Sequence, residues 1–206
     1  MPKILHYKSC IAVIPGIAWD HINVFATFDI YKEQFLKFVE TIDPDGVLIY
    51  YQYDDHLKEW ADQRPKPSKI SYQALGRAAV QVSFESQLYQ VSLIGHHNFQ
   101  NMNAARLICQ QSGITNESFF VAISDFNGAS KRLQKISESE SRTIYVDFAH
   151  APSKVKATTD SFKQWFAEHK LLAVLELHTL SSLNQSFIPE YSGGFNAADK
   201  AVVFFN

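Results

Sequence analysis

The last third of the chain alternates two kinds of segment, and this alternation restricts the possible folds more than any other feature. Residues 143–148 and 171–177 are apolar enough to be strands, and residues 153–168 between them have the periodicity of a helix. Residues 201–205 follow as an uninterrupted apolar run, which is typical of an interior strand of a parallel sheet. Strands that alternate with a helix predict an α/β fold with a parallel, Rossmann-like arrangement.

The first part of the chain has a mixed pattern. Residues 9–15 and 46–51 are predicted strands, and residues 30–42 are a predicted helix because apolar side chains recur there at helical spacing. Residues 65–68 contain two prolines and are expected to form a loop. Residues 79–93 hold two short runs in which apolar and polar side chains alternate, and these runs predict an antiparallel pair of strands.

Two successive helices are expected after this pair, with Asn98 and Thr115 as their N-terminal caps. The short polar run at residues 137–141 suits a loop at or near a domain boundary. We therefore predict two domains, one of residues 1–130 and one of residues 131–206.

Composition and charge limit the partners that this chain can bind. The chain has 206 residues, of which 46% are apolar, and a formal net charge of −2. Nucleic acids and anionic membranes bind strongly basic surfaces, so neither is expected as a partner. The longest apolar runs fall far short of the roughly 18 residues of a spanning helix, and no secretory signal precedes them. We expect a cytoplasmic protein that binds small polar ligands.

The first local motif is an Asp-His pair, Asp20 and His21, directly after a predicted strand. A carboxylate oxygen or an imidazole nitrogen can hold a divalent cation. An isolated histidine is more often a residue that caps its own loop or bonds within it, so the pair alone does not decide between a metal ligand and a structural role.

The second motif opens a predicted helix and contains His97, Asn98 and Asn101. The ring of His97 is a flat surface for stacking, and the two amides supply the paired donors and acceptors that an adenine edge requires. A role of Asn98 as the N-terminal cap of the helix explains that residue equally well.

The third and fourth motifs each contribute one charged residue. Arg132 lies in residues 126–133 and has the geometry to bind phosphate. Asp147 lies at the carboxyl end of a predicted parallel strand, where a carboxylate can accept hydrogen bonds from ribose hydroxyls. The alternatives are a solvated interdomain charge for Arg132 and a helix cap for Asp147.

In this order, the four motifs resemble those of the Mur ligases. The family patterns are D-H-x-(D/N)-x-F, G-x-H-N-x-x-N, F-x-G-x-x-(R/K)-R and D-(F/Y)-A-H-x-P, and the matching segments here are residues 20–25, 95–101, 126–132 and 147–152. A fifth segment, residues 176–181, resembles a strand-end motif around a histidine. Four ordered motifs at family-like spacing are far more specific than any one of them.

The resemblance implies a partial Mur ligase central domain over residues 1–130, followed by an incomplete Rossmann-like C-terminal domain over residues 131–206. The central domain is the ATP-binding one, yet the chain contains no G-x-x-x-x-G-K-(S/T) loop and no Gly-Lys dipeptide. We therefore expect a fragment truncated at both ends, without ligase activity of its own, whose full-length parent is the active enzyme.

The resemblance also implies a role for eight side chains in binding ATP and Mg2+ and in the reaction. The magnesium ligand would be His21. The groups around ATP would be His97, Asn98 and Asn101 at adenine, Arg132 at phosphate and Asp147 at ribose. The groups that face the reacting atoms would be Arg132, His150 and His178.

Ligases of this family activate a substrate carboxylate as an acyl phosphate, which an amine then displaces, while cationic groups neutralise the transferring phosphoryl group. The motifs are most similar to those of members that join UDP-N-acetylmuramate to a recycled murein tripeptide, so we expect these two substrates. Ala151 and the segment of residues 176–178 depart from the commoner patterns. L-alanine-adding ligases therefore stay an alternative, as does a non-catalytic nucleotide-binding module. Apolar strands without partners also suggest self-association of the fragment.

Overall fold

The protein was analysed as a computed structural model that describes residues 2–78 and 81–205. The chain divides into two compact units. The first consists of Met1–Tyr89 and Phe99–Ser124, and the second of Gln90–Asn98 and Asp125–Asn206. Each unit has its own sheets and its own buried side chains.

The first unit is built on a parallel sheet with the order β1-β2-β3. Its strands are β1 (Ile11–Ile14), β2 (Val47–Tyr51) and β3 (Ser68–Tyr72), and both strand pairs are parallel. The connections between them contain the helices α1 (Phe28–Glu40) and α2 (Asp55–Gln63). A 3-10 turn, Lys3–His6, precedes the sheet. The predicted strands around β1 and β2 and the predicted helix around α1 are confirmed.

Helix α2 and strand β3 were not predicted. The expected proline loop is present up to Pro67, but Ser68 already begins β3. The short helix α2 begins at a capping carboxylate, since Asp54 Oδ1 accepts from the backbone N–H of Leu57 at 3.1 Å. Asp54 Oδ2 accepts from the N–H of Ile17 at 2.6 Å, so one carboxylate joins this helix to the loop after β1.

The central strand β2 is buried on both faces. Leu48 lies in a cluster with Val39 of α1 and Leu57 of α2, whereas Ile49 packs against Leu107. Each of these side chains contributes about 1.5–3 kcal/mol by burial. The run of apolar residues in β2 therefore reflects a strand covered by helices on both sides, as parallel strands usually are.

A small three-stranded sheet follows with the order β4-β5-β6. Its strands are β4 (Gly76–Ala78), β5 (Gln81–Phe84) and β6 (Gln87–Gln90), and β4 pairs antiparallel with β5. Glu85 and Ser86 connect β5 to β6 with φ values of 49° and 66°, which is the conformation of a type I′ hairpin turn. The predicted antiparallel pair is present, but its bounds differ from the prediction. Val80 lies outside the described residues, and β6 ends before residue 93.

Helices α3 (His96–Gln111) and α4 (Asn116–Ser124) confirm the two predicted helices. Thr115 is a cap as predicted, because its hydroxyl accepts from the N–H of Ser118 at 3.2 Å. The predicted cap at Asn98 is wrong. Asn98 already lies within α3, and its side-chain amide donates to the carbonyl of Ile94 at 2.7 Å.

A buried arginine ties α3 to its neighbours in the first unit. Arg106 is 8% exposed, and its guanidinium donates to Asn103 and to Asn116 at 2.9 Å each. The same group lies over the ring of Phe84, with Cζ 4.5 Å from the centroid. Burial lowers the pKa of Arg106, and the nearby Glu85 opposes this effect.

The second unit contains a hairpin and a separate parallel pair. The hairpin consists of β7 (Gln134–Glu138) and β8 (Thr143–Val146), and β9 (Leu172–Leu177) pairs parallel with β10 (Lys200–Phe205). Helix α5 (Pro152–Trp165) lies between β8 and β9 in the chain. The prediction that residues 143–148 belong to the parallel sheet is wrong, because this strand pairs antiparallel with β7.

One hydrophobic cluster of the second unit joins α5 to β9. It consists of Val155 of α5 with Leu175 and Leu177 of β9, and Tyr191 packs against it from the 3-10 turn Ile188–Tyr191. Alternate residues of β9 point away from this core, so Leu172 and Val174 stay 57% and 61% exposed. All six residues of β10 are exposed. Among the described residues, no helix combines the length and apolar character needed to cross a membrane.

Candidate functional site

The predicted magnesium ligand lies in a loop that holds its own conformation. His21 has a φ of 57°, and its N–H donates to Asp20 Oδ1 at 2.8 Å. The carbonyl of His21 accepts from Val24 at 2.8 Å and from Phe25 at 2.9 Å, while the residue itself is exposed. Within residues 2–78 and 81–205, no three His, Cys, Asp or Glu side chains cluster as a metal site. His21 can therefore supply one ligand, and Mg2+ would need oxygen ligands from elsewhere.

The imidazole of His97 lies in the first turn of α3 and is half-buried. Burial lowers the pKa of His97 below 6.5; the Asp147 carboxylate opposes this effect, and His96 and Arg132 add to it. The ring is consequently neutral at pH 7. Nδ1 is buried and has no hydrogen-bond partner within the described part of the chain. A neutral, partly buried ring is suited to stacking on a base.

The two asparagines of the same motif differ in the hydrogen bonds that their side-chain amides already make within the chain. One N–H of the Asn98 amide is already bonded to Ile94, so the amide oxygen and the second N–H are left for a ligand. Asn101, three residues further along α3, is exposed and makes no side-chain hydrogen bond to another described residue. Of the two, Asn101 has the full donor and acceptor capacity that recognition of a base edge needs.

Arg132 lies at the apex of a strained turn. The residues on either side, Lys131 and Leu133, have φ values of 54° and 47°, in the left-handed region that few non-glycine residues adopt. Leu133 is buried, whereas Arg132 is exposed with its Cζ 5.3 Å from the ring centroid of Phe148. The turn thus buries one side chain and presents the guanidinium on an aromatic surface.

Asp147 follows β8 and binds groups from two other segments. Its Oδ1 accepts from the N–H of Leu133 at 3.3 Å, and its Oδ2 accepts from the hydroxyl of Thr158 at 2.5 Å. The expectation that Asp147 ends a parallel strand is wrong, because β8 is antiparallel to β7. The alternative of a helix cap is also wrong, since α5 has Ala151 as its N-terminal cap residue.

His150 and His178, predicted from two distant motifs, lie next to each other with ring centroids 6.4 Å apart. Each Nδ1 contacts the carbonyl two residues earlier, at 2.9 Å to Phe148 and 3.1 Å to Glu176. A carbonyl only accepts, so Nδ1 carries a hydrogen in both rings, and in the neutral form of each ring Nε2 has the lone pair. The hydroxyl of Tyr191 donates to the carbonyl of His150 and holds this loop.

Phe148 connects the two groups of predicted residues. Its ring lies under Arg132 and meets the edge of His150 at 5.0 Å between centroids. The second unit therefore brings together a continuous row of side chains, which we call the motif row, consisting of Arg132, Phe148, His150 and His178. Phe148 and Thr158 were missed as site residues. A phenylalanine between the polar residues of a motif was a usable signal for the first, whereas no sequence pattern marks the second.

Two sequence profiles match this chain. The profile of the Mur ligase middle domain matches residues 4–109, and that of the glutamate ligase domain of Mur ligases matches residues 131–206. The first alone covers half of the chain, so the chain belongs to the Mur ligase family, whose members are ATP-dependent ligases of peptidoglycan synthesis.

Among individual proteins, the chain is 28% identical to the UDP-N-acetylmuramate–L-alanine ligase of Caldicellulosiruptor bescii, over 98% of the chain and 48% of that protein. A murein peptide ligase from Psychrobacter arcticus has a similar structure, with a TM-score of 0.65 and 20% identity over 98% of this chain and 45% of that one. The MurF ligase from Thermotoga maritima in complex with ADP also has a similar structure, with a TM-score of 0.71 and 14% identity over 96% of this chain and 49% of that one. These structures establish the fold alone. The chain spans about half the length of the relatives that it matches.

Proposed function

We propose that the protein to which this chain belongs is an ATP-dependent ligase that joins UDP-N-acetylmuramate to an amino acid or peptide in peptidoglycan synthesis. The observation that carries this proposal is the grouping of His97, Arg132 and Asp147 in the second unit, where the Asp147 carboxylate raises and the Arg132 guanidinium lowers the pKa of the His97 ring. These are the residues that the motifs relate to adenine, phosphate and ribose. The ADP complex of the Thermotoga maritima MurF supports a nucleotide as the ligand.

L-alanine is the acceptor that the curated relatives favour, since the Caldicellulosiruptor bescii protein is named as an L-alanine ligase. The murein tripeptide is the second candidate. Ala151 and the sequence Glu176-Leu177-His178 differ from the commoner family patterns, and the Psychrobacter arcticus murein peptide ligase shares the fold over 98% of the chain. Both reactions use UDP-N-acetylmuramate, and both would take place in the cytoplasm.

Within this proposal, ATP supplies the phosphoryl group that activates the substrate carboxylate, and Mg2+ would neutralise part of the negative charge of the phosphates. Arg132 neutralises negative charge on the phosphates, and its place over Phe148 limits its movement without using its N–H donors. Asp147 accepts from ribose with the lone pairs that Leu133 and Thr158 leave free. His21 contributes one ligand to Mg2+.

His150 and His178 act on the amine side of the reaction. An amine that attacks an acyl phosphate must lose a proton, and a neutral imidazole with a free Nε2 lone pair can accept it. Both rings offer such a nitrogen, because their Nδ1 atoms are bonded to carbonyls. Neither ring needs to form a covalent bond with the substrate.

Nucleotide titrations followed by amide proton–nitrogen NMR test the nucleotide part on the 206-residue chain. We expect ATP with Mg2+ to shift the amides of His97, Arg132 and Asp147, with a Kd on the order of 1 mM because the chain has no Gly-Lys loop. Arg132→Ala should weaken this binding about tenfold, the loss of one charge-assisted contact. Arg142→Ala removes another exposed arginine of the same unit and should leave binding unchanged. No shift in the wild-type chain, or equal losses in both variants, would refute the assignment.

The same spectra distinguish the two acceptors. If L-alanine is the acceptor, L-alanine and not the murein tripeptide should shift the ring signals of His150 and His178. The opposite result selects the tripeptide. Shifts with neither compound would remove these histidines from the acceptor site.

The isolated chain should release no phosphate from ATP in the presence of UDP-N-acetylmuramate and either acceptor, because the sequence has no phosphate-binding loop. We also propose that the exposed apolar side chains of β9 and β10, Val174 and Phe204 among them, make the chain associate with itself. Measurable turnover would contradict the first expectation, and a monomer at all concentrations in size-exclusion chromatography would contradict the second.

A further inference from the structure

The turn that carries Arg132 needs support from its surroundings. Two left-handed residues on either side of an arginine, Lys131 and Leu133, are disfavoured and persist only where other contacts fix them. Hydrogen bonds to the backbone do so, among them one from the N–H of Arg132 to the carbonyl of Ala129 at 3.1 Å. The N–H of Phe148 donates to the carbonyl of Lys131 at 2.7 Å, the N–H of Lys131 donates to Gln134 Oε1 at 2.9 Å, and the N–H of Leu133 donates to Asp147 Oδ1.

Of these contacts, only the one from Asp147 uses a charged side chain. A carboxylate that accepts through one oxygen can still rotate about its Cβ–Cγ bond, because that torsion is broad. A donor on the second oxygen fixes its plane. In this protein that donor is the hydroxyl of Thr158, which lies 2.5 Å from Asp147 Oδ2.

The orientation of the Thr158 hydroxyl is unusual for a threonine inside a helix. Threonine hydroxyls in helices commonly bond to the carbonyl four residues earlier. The hydroxyl of the next residue, Thr159, lies 3.1 Å from the carbonyl of Val155 and 2.7 Å from the carbonyl of Gly194. Thr158 instead donates to a side chain that lies outside α5. The hydroxyl therefore contributes to the Asp147 site and not to the helix.

We propose that Thr158 is a positioning residue of the nucleotide site. Its hydroxyl fixes the plane of the Asp147 carboxylate, the fixed carboxylate holds the N–H of Leu133, and the held turn keeps Arg132 in place for the phosphates. This inference rests on the proposed function only in its last step. The first two steps concern contacts within the chain and can be measured without a nucleotide.

The test compares Thr158→Val, which keeps the shape and removes the donor, with Thr158→Ser, which keeps the hydroxyl. Amide hydrogen exchange of Leu133 in the 206-residue chain is the first measurement. We expect exchange about tenfold faster in the valine variant, the effect of weakening one hydrogen bond to a charged group. The serine variant should match the wild type. In an Asp147→Asn background, the valine substitution should have much less effect, because the charged acceptor is already gone.

ATP titration of the same variants is the second measurement. Weaker ATP binding in the valine variant, together with near wild-type binding in the serine variant, would support the whole chain of contacts. If the wild-type chain binds ATP and the two variants do not differ in either measurement, the positioning role is refuted. If the wild-type chain does not bind ATP, the proposed function fails, while Leu133 exchange still decides whether Thr158 holds the turn. A general loss of stability would appear as equal exchange changes throughout α5, and this outcome would also refute the role.

Discussion

Gly95→Ala is the substitution that most directly tests the packing between the second motif and the Arg132 turn. Gly95 has a φ of 91°, and a Cβ added there would lie 2.8 Å from Leu133 Cδ1 and 3.1 Å from the Cε1 atom of His97. Alanine in a left-handed conformation costs about 1–2 kcal/mol. Overpacking against a buried side chain adds about 1–3 kcal/mol. We therefore expect the second unit to lose about 2–5 kcal/mol of its free energy of unfolding.

Gly193→Ala is the matched control. Gly193 lies in the same unit with a φ of 76°, and the nearest atom to an added Cβ is Asn196 Nδ2 at the ordinary distance of 3.6 Å. This variant carries the backbone cost without the steric one. Urea unfolding of both variants, followed by tryptophan fluorescence and by hydrogen exchange in β9, gives the two losses. If Gly95→Ala costs no more than Gly193→Ala, Leu133 does not pack against Gly95 as described and the steric reasoning is wrong.

Two further predictions concern titratable side chains that are partly or fully removed from solvent. Burial lowers the pKa of His97 below 6.5, so the folded state favours the neutral ring; its contribution to stability is complete above pH 6.5 and is lost as the pH falls toward the lowered pKa. Urea unfolding against pH should show a steeper loss in this window for the wild type than for His97→Gln. Arg106→Met should cost about 2–4 kcal/mol, because the amides of Asn103 and Asn116 lose their buried partner. Thermal unfolding would measure the loss, and Lys58→Met at an exposed position should stay within about 0.5 kcal/mol of the wild type.

The elements that could be predicted from the sequence are those whose side chains are buried on one face or on both faces. Strand β2 holds an apolar run because helices cover both of its faces, whereas α5 packs on one face of β9. Helix α1 shows helical spacing because one of its faces packs on the sheet. Strand β7 was not predicted, and its last two residues were assigned to the loop of residues 137–141. All five residues of β7 are exposed, so the strand has no alternation of apolar and polar side chains that could mark it. The error at β7 also placed Asp147 at the end of a parallel strand, since the partner of β8 was not recognised.

In the candidate site, too, some residues could be predicted from the sequence and others could not. Motif residues such as Arg132 and His150 could be found because reactive side chains recur at fixed spacing within short segments. The contacts that hold them could not. Thr158 lies 11 positions after Asp147, and only the folded chain shows the hydroxyl at the carboxylate. The left-handed conformation of Leu133 was equally hidden, because leucine gives no sign of a positive φ.

The exposed apolar face of β9 and β10 also has a thermal consequence. Apolar association near room temperature is driven by the entropy of water and weakens on cooling. Contacts made through Leu172, Val174 and Phe204 should therefore loosen in the cold, unlike contacts made by ion pairs. We therefore expect the chain to be most monomeric in dilute samples kept near the freezing point of water. Warming a concentrated sample should increase its self-association.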